Sequence, residues 1–227
     1  MNEAAGDRVR ALSLLYVIGT YPLLTTTFID REIAVLRRLG TSVKVVSLRP
    51  PHGSLSPEQT AATAEVDYVL PARPHRVVMS HLAFLASAPG KYLGTFWHLL
   101  SARHPSLGLR AKTLLHFGLA VHVARLVSGS GSYDHVHSHF VDRASLVGLV
   151  VGRLLGLPHS ATAHANDIYV NPVLLKEKIS EAKFVATCTQ ANGDHLERLV
   201  PGTGRIRRLY HGLDVDSYAA ACPAVES

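Results

Sequence analysis

The sequence predicts an α/β protein built on an open, mostly parallel, doubly wound (Rossmann-like) sheet with a helical insert. Two observations lead there. Short continuous apolar runs of strand length alternate with helix-period segments along most of the chain, and repeated strand–helix units form parallel sheets. The first such run also ends in the turn signal Gly19-Thr20-Tyr21-Pro22, as a buried parallel strand followed by a loop does.

The elements follow in order. Residues 11–18 (ALSLLYVI) form the first strand. Residues 28–39 (FIDREIAVLRRL) place Phe28, Ile29, Ile33, Leu36 and Leu39 at helical spacing. A threonine among Thr25, Thr26 and Thr27 can cap that helix, and Gly40 stops it. Residues 42–48 (SVKVVSL) give the second strand and complete a βαβ unit. A short helix over 57–64 and a third strand over 66–70 follow a Pro/Gly/Ser loop. Residues 74–127 read as mostly helical, broken at Pro89-Gly90 and near Pro105. So long an excursion inside an α/β domain has a task or covers a face. The alternation then resumes. Strands are expected at 134–139, 159–163, 184–187 and 206–209, and helices at 144–155, 172–182 and 190–200.

Composition sets the class. The 227 residues are 47% hydrophobic and 18% charged, as in soluble globular chains. The formal charge of +6 favours anionic partners. The cations form no long run interleaved with aromatics, so nucleic acid is not an expected partner. Two cysteines, Cys188 and Cys222, do not make a disulfide scaffold, and the opening MNEAAGDRVR lacks a signal-peptide layout. The expected location is cytoplasmic. No apolar stretch reaches the ~20 residues of a spanning helix.

Ligands of doubly wound sheets bind outside the carboxyl ends of the strands. Three strand ends stand out. After the first strand, Gly19 to Thr27 leads into a helix N-terminus, where amides and hydroxyls favour a phosphate; the alternative is a capping run with no ligand. No GxGxxG or P-loop lysine is present. His135, His137 and His139 alternate onto one strand face. Three imidazoles suggest a metal, but their own block offers no carboxylate or cysteine to complete a site. A polar cleft wall with no metal is the expectation. His164 ends an apolar run with Asp167 close behind. The pair can act as acid or base or grip hydroxyls, or it is a structural histidine with a capping aspartate.

The ordered set of segments resembles the N-terminal domain of the family 4 (GT-B fold) retaining glycosyltransferases, in particular the colanic-acid and exopolysaccharide type. The segments are YVIGTYPLLTTTFIDREIAVLRRLGTSVKVVSLR at 16–49, HVHSHF at 135–140, SATAHANDIYV at 160–170, FVATCTQAN at 184–192 and RLYHGLDVDSY at 208–218. The stretch 50–131 carries little of the likeness. The resemblance implies a domain over 1–209 and the start of an interdomain linker over 210–227, with the nucleotide-binding C-terminal domain missing or separate. It implies sugar transfer from a nucleotide-sugar, with retention, to a saccharide or lipid-linked acceptor, and no required cofactor or metal. A chain holding half of the active site would be inactive alone.

Roles follow from the same likeness. Gly19, Thr25, Thr26 and Thr27 face the donor phosphate and sugar. His164 is the catalytic-centre histidine. His137, His139, Asp167 and Tyr169 lie on the acceptor side. Tyr210, His211, Gly212 and Asp214 enter the linker. One departure is plain: the family branch often has Ser-Glu where this chain has Thr25-Thr26, so a carboxylate is missing there.

The helical insert adds an expectation of peripheral membrane contact at the inner face, with Lys91, Arg103, Arg110 and Lys112 meeting headgroups and Phe84, Leu85, Phe96 and Trp97 dipping in. Two other classes stay open: a non-catalytic sugar- or lipid-binding module, and a metal-dependent hydrolase using His135, His137 and His139.

Overall fold

The computed structural model describes residues 11–170, 172–213 and 215. Seven parallel strands form one sheet. They are β1 (Ser13–Thr20), β2 (Ser42–Arg49), β3 (Val66–Tyr68), β4 (His135–His139), β5 (His159–Ala163), β6 (Val185–Thr187) and β7 (Ile206–Arg208). The order is β3-β2-β1-β4-β5-β6-β7. The direction of winding reverses between β1 and β4. That switch point opens a crevice at the carboxyl ends of those two strands, where doubly wound sheets take ligands.

The helices are α1 (Thr27–Arg38), α2 (Pro57–Ala62), α3 (Pro74–Ser87), α4 (Pro89–Ser101), α5 (Leu107–Ser128), α6 (Arg143–Leu155), α7 (Leu175–Glu181) and α8 (Gln190–Leu199). Local chemistry sets their ends. Ser56 and Gln59 form a capping box on α2, with Pro57 at its first position. Ser106, Asp142 and Thr189 accept first-turn amides of α5, α6 and α8. Gly156 ends α6 in the left-handed conformation at φ 76°.

The expected insert over 74–127 is the helix trio α3–α5, broken at the two expected prolines. Its task is visible. Helix α6 is buried nearly all round, from Ala144 to Gly152 and at Leu154. A helix apolar on every side needs cover beyond the sheet. Phe84, Leu99, Phe117 and Val121 of the insert join Leu146, Val147 and Val150 of α6 and Leu15 and Val17 of β1 in one core. On the opposite sheet face, α1 lays Ile29 and Ile33 over Tyr16, Ile18, Val43 and Val45. A third cluster joins Ala161, Ala163, Ile179, Val185 and Leu196 under α7 and α8.

Alternation assigns the polar residues of β4 and β5. Val136 and Ser138 face α6. His137 lies opposite Tyr16 in the β1–β4 register and so faces α1, with His139. The approach of α6 to β4 is close. A Cβ on Gly148 would sit 2.1 Å from Ser138 Oγ and 3.1 Å from His159 Nε2. Of the expected linker only 210–213 and 215 are described, and Asp214 and Cys222 lie outside.

Candidate functional site

The loop after β1 is held by its own polar groups. The Tyr21 amide donates to Ser47 Oγ at 3.0 Å, and that hydroxyl donates to the Arg49 carbonyl at 2.6 Å. Thr26 precedes α1, but its hydroxyl does not cap the helix. It donates to the Leu23 carbonyl at 2.9 Å and accepts from the Leu23 amide at 3.2 Å. Of the three expected threonines, Thr26 is therefore committed to the turn, while Thr25 and Thr27 are exposed.

This loop forms one wall of a cavity of about 680 Å³. Gly19 lines it from β1, Thr25 and Thr26 from the loop after β1, Arg49 from β2, Arg143 from α6, and Pro105, Leu109 and His116 from the insert. The cavity thus combines two guanidiniums with apolar walls. Burial pushes the His116 imidazole below its usual range, and Arg143 and Arg49 push it the same way. Like charges near an imidazole disfavour its protonation, so both arginines converge on this spot with no carboxylate to match them except Asp142, which also lines the cavity.

His164 follows β5 and stands on the other side of Phe140. Its ring packs 4.7 Å from Phe140 and 5.1 Å from Phe28, and stacks 5.5 Å from His211 at 9°. Both ring nitrogens are buried without a partner among the described residues. Burial, then His211 and His139, hold its pKa down at about 4. At neutral pH it is an uncharged imidazole with one N–H to donate and one lone pair to offer. Unpaired buried polar atoms cost free energy, and both His164 nitrogens remain free to bond a group that reaches them. His211, from the expected linker segment, packs on His164, while Tyr210 lies under Arg208 at 5.8 Å.

Beneath this cluster lie the strand histidines. His137 bonds Ser160 Oγ at 2.8 Å and Thr162 Oγ1 at 3.0 Å, and His135 bonds the same Ser160 at 2.6 Å. His139 is fully buried. Its Nε2 lies 3.4 Å from Glu32 Oε1, and the Tyr16 hydroxyl donates to that same oxygen at 2.6 Å. Glu32 on α1 supplies a carboxylate that the histidine block itself lacks. Burial works against its ionisation, but His139, His137 and Tyr16 outweigh that and hold it near 2. Ligand atoms of Glu32, His137 and His139 all fall within 4.8 Å of one another. Among the described residues the set that could hold a cation is therefore Glu32 with two histidines, rather than the trio His135, His137 and His139 of the hydrolase alternative. His137 already has a hydroxyl on each nitrogen, so binding a metal there would displace a bond the protein makes for itself.

Asp167 and Tyr169 sit differently from their expected acceptor-side roles. Asp167 is 1% exposed. One oxygen accepts from the Val141 amide and the other from the His164 amide, the latter at 2.9 Å. It clasps the β4 and β5 loops together, and burial raises its pKa to about 6. The Tyr169 hydroxyl donates to Asn192 Oδ1 at 3.2 Å and its ring packs 4.9 Å from His195, toward α8.

A second clasp was not expected. Lys178 is 1% exposed and donates to the carbonyls of Val141 at 2.6 Å and Asp142 at 2.8 Å. Burial lowers its pKa to about 7. With Asp167 it pins the loop through Phe140, which sits at φ 71°. A non-glycine residue in that region is held by its surroundings. The sequence signal was there: Leu175, Lys178 and Ile179 share the inward face of α7. Glu32, Arg49, Arg143 and His116 were also missed. Among them, Glu32 lies four residues after Phe28 on α1, which places both on one helix face.

Neither a family model nor a curated protein matches the sequence. Solved structures do match the fold. One is Anabaena Alr3699/HepE in complex with UDP and glucose, at TM-score 0.53 and 13% identity, covering 91% of this chain and 46% of that one. Another is a UDP-N-acetylglucosamine 2-epimerase, at TM-score 0.52 and 10% identity, covering 88% and 48%. The chain spans about half the length of each. At such identity the likeness is one of fold, and it agrees with the doubly wound sheet read from the sequence.

Proposed function

We propose that this chain is the acceptor-side half of a two-domain retaining glycosyltransferase of the GT-B type, resembling family 4. The observation that carries the reading is His164, whose buried, unpartnered nitrogens stand at the carboxyl edge of the sheet, across Phe140 from a cavity lined by Arg49 and Arg143. The fold likeness to proteins whose structures or names involve UDP and sugars supports it.

A nucleotide-sugar donor is held by a second Rossmann-like half, on the same or a separate polypeptide. The acceptor saccharide enters the cavity beside Gly19, Thr25 and Arg143. The neutral His164 donates its N–H to an oxygen of the reacting sugar and so stabilises charge rather than taking a proton. The leaving phosphate accepts the acceptor proton and needs no metal from this half. Closure over Phe28, Phe140 and His211 excludes water and limits donor hydrolysis.

The test is transfer by the joined two-half protein from a panel of nucleotide-sugars. His164→Ala should lower kcat by about 10²–10³ while the chain stays folded, the usual effect of removing one transition-state donor. Unchanged kcat would overturn the assignment. Saccharide binding with no transfer from any donor would favour a non-catalytic binding module. Stoichiometric metal and metal-dependent hydrolysis would favour the hydrolase.

A further inference from the structure

The insert carries the chain's charge. Residues 69–133 contain seven Lys and Arg and no Asp or Glu, leaving 16 cations against 17 anions elsewhere. Elsewhere, arginines and lysines pair in Arg37–Glu65, Lys44–Asp67 and Arg153–Glu181. None of the insert's seven forms an ion pair with a described residue. Outside the insert cations and anions are nearly balanced, whereas the insert holds seven cations and no anion of its own, which makes that helical layer a positive field.

The same layer exposes apolar side chains in register. On α3, Val78, Met79, Leu82 and Leu85 recur at helical spacing and are all exposed; on α4, Leu93 and Trp97 do the same one turn apart. Met79 is 60% and Trp97 61% exposed. The stripe differs from the one expected from sequence. Phe84 and Phe96 turn inward to pack with Phe117 and the core, and Val78, Met79 and Leu82 take their place outside. No helix among the described residues is long and apolar enough to cross a membrane. Short helices with one apolar face inside a cationic field lie in the plane of a bilayer surface.

We propose that the outer face of α3 and α4 docks on an anionic phospholipid bilayer. Val78, Met79, Leu82, Leu85, Leu93 and Trp97 enter the headgroup–acyl boundary, and the unpaired cations meet the lipid phosphates. Charge complementarity selects this occupant over a second copy of the chain, whose identical face would set cation against cation. Pro105 in the loop after α4 and Leu109 in the first turn of α5 line the cavity, so docking brings its rim toward the interface. The proposal does not depend on sugar transfer.

Trp97 is the sole tryptophan and reports directly. The whole chain is mixed with phosphatidylcholine vesicles, with or without phosphatidylglycerol at about one part in three. With the anionic vesicles, Trp97 emission should shift to the blue, brominated acyl chains should quench it, and the protein should co-sediment. Binding should fall about tenfold or more without anionic lipid or when salt shortens the screening length to ~3 Å. The double variant Met79→Glu/Leu82→Glu, checked for native circular dichroism, should lose about tenfold or more in binding. Leu39→Glu, an exposed apolar site at the C-terminal end of α1, should not. No shift at low salt, or equal binding by the double variant, overturns the proposal. A blue shift that grows with protein concentration without lipid, together with dimers in sedimentation, assigns the face to a second copy and overturns it equally.

Discussion

The two sides of β4 and β5 come from alternate residues of the same strands and are made of opposite material. Toward α6 stand Val136, Ser138, Ala161 and Ala163, with His159 the one imidazole among them, and a glycine-bearing helix lies directly on the sheet. Toward α1 stand His135, His137, His139, Ser160 and Thr162, joined to Tyr16 and Glu32. Apolar contact on the first side lowers free energy with every atom buried. The second side buries imidazoles and a carboxylate, which at best break even when fully hydrogen-bonded. A protein selected for stability alone would fill both sides alike. The difference fits a scaffold on the first side and the floor of the proposed site on the second.

The sharpest way to break that comparison is Gly148→Ala on the scaffold side. The new methyl would meet Ser138 Oγ and the His159 ring, with little room for either to give. We expect a loss of about 1–3 kcal/mol by chemical denaturation, the usual cost of overpacking. Adding Ser138→Ala should recover part of it, because the nearest clashing atom is removed. A change below about 0.5 kcal/mol, the level of a neutral surface substitution, would show that α6 does not rest on the strand here.

Acid acts on both sides, through His159 toward α6 and His137 toward α1. Burial holds His159 at about 3 and His164 at about 4, against 6.5 in the unfolded chain, and lowers His137 in the same direction. Below pH 6.5 the unfolded chain takes up protons that the folded chain refuses, so stability falls as pH drops toward 4. Each such histidine contributes a slope of up to ~1.4 kcal/mol per pH unit. Asp167, raised to about 6, binds a proton in the folded state first and offsets one of them down to about pH 4. Thermal melts from pH 7 to 4.5 should show a falling Tm, and His159→Gln should flatten the curve. A Tm independent of pH over this range would contradict the buried neutral imidazoles.

How much of this was legible beforehand follows from the physics of each feature. Strands and helices were readable because apolar periodicity is local, and β1, β2, β4 and β5 lie within a few residues of expectation. The insert's prolines marked its breaks. His164 was readable as the end of an apolar run. Its partners Phe28 and His211 arrive from distant positions, and no spacing rule relates them. Asp167 looked like a site carboxylate because sequence shows a residue type but not which amides claim its oxygens. Lys178 was hidden for the opposite reason: a lysine on an inward helix face reads as surface until two carbonyls are seen to receive it. Phe84 and Phe96 were assigned outward because helical spacing gives a stripe without saying which stripe the neighbouring helix covers.

The smallest expected change in stability carries the most information about the polar side. His139 is fully buried with neither nitrogen in hydrogen-bond geometry to a described residue, and its ring packs against Tyr16, Phe28 and His137. His139→Phe keeps an aromatic ring in that place and removes two unpaired polar atoms. Glu32 retains the Tyr16 hydroxyl. Losing two poorly satisfied polar atoms favours the variant, while Glu32 loses the imidazole that most favours its ionisation, so the two effects oppose and stability should change by less than about 1 kcal/mol. Transfer by the joined protein should still fall, because His139 supports Phe28, which packs on His164. A loss of stability comparable to Gly148→Ala, with transfer intact, would make the histidine side a second scaffold and remove the distinction between the two faces.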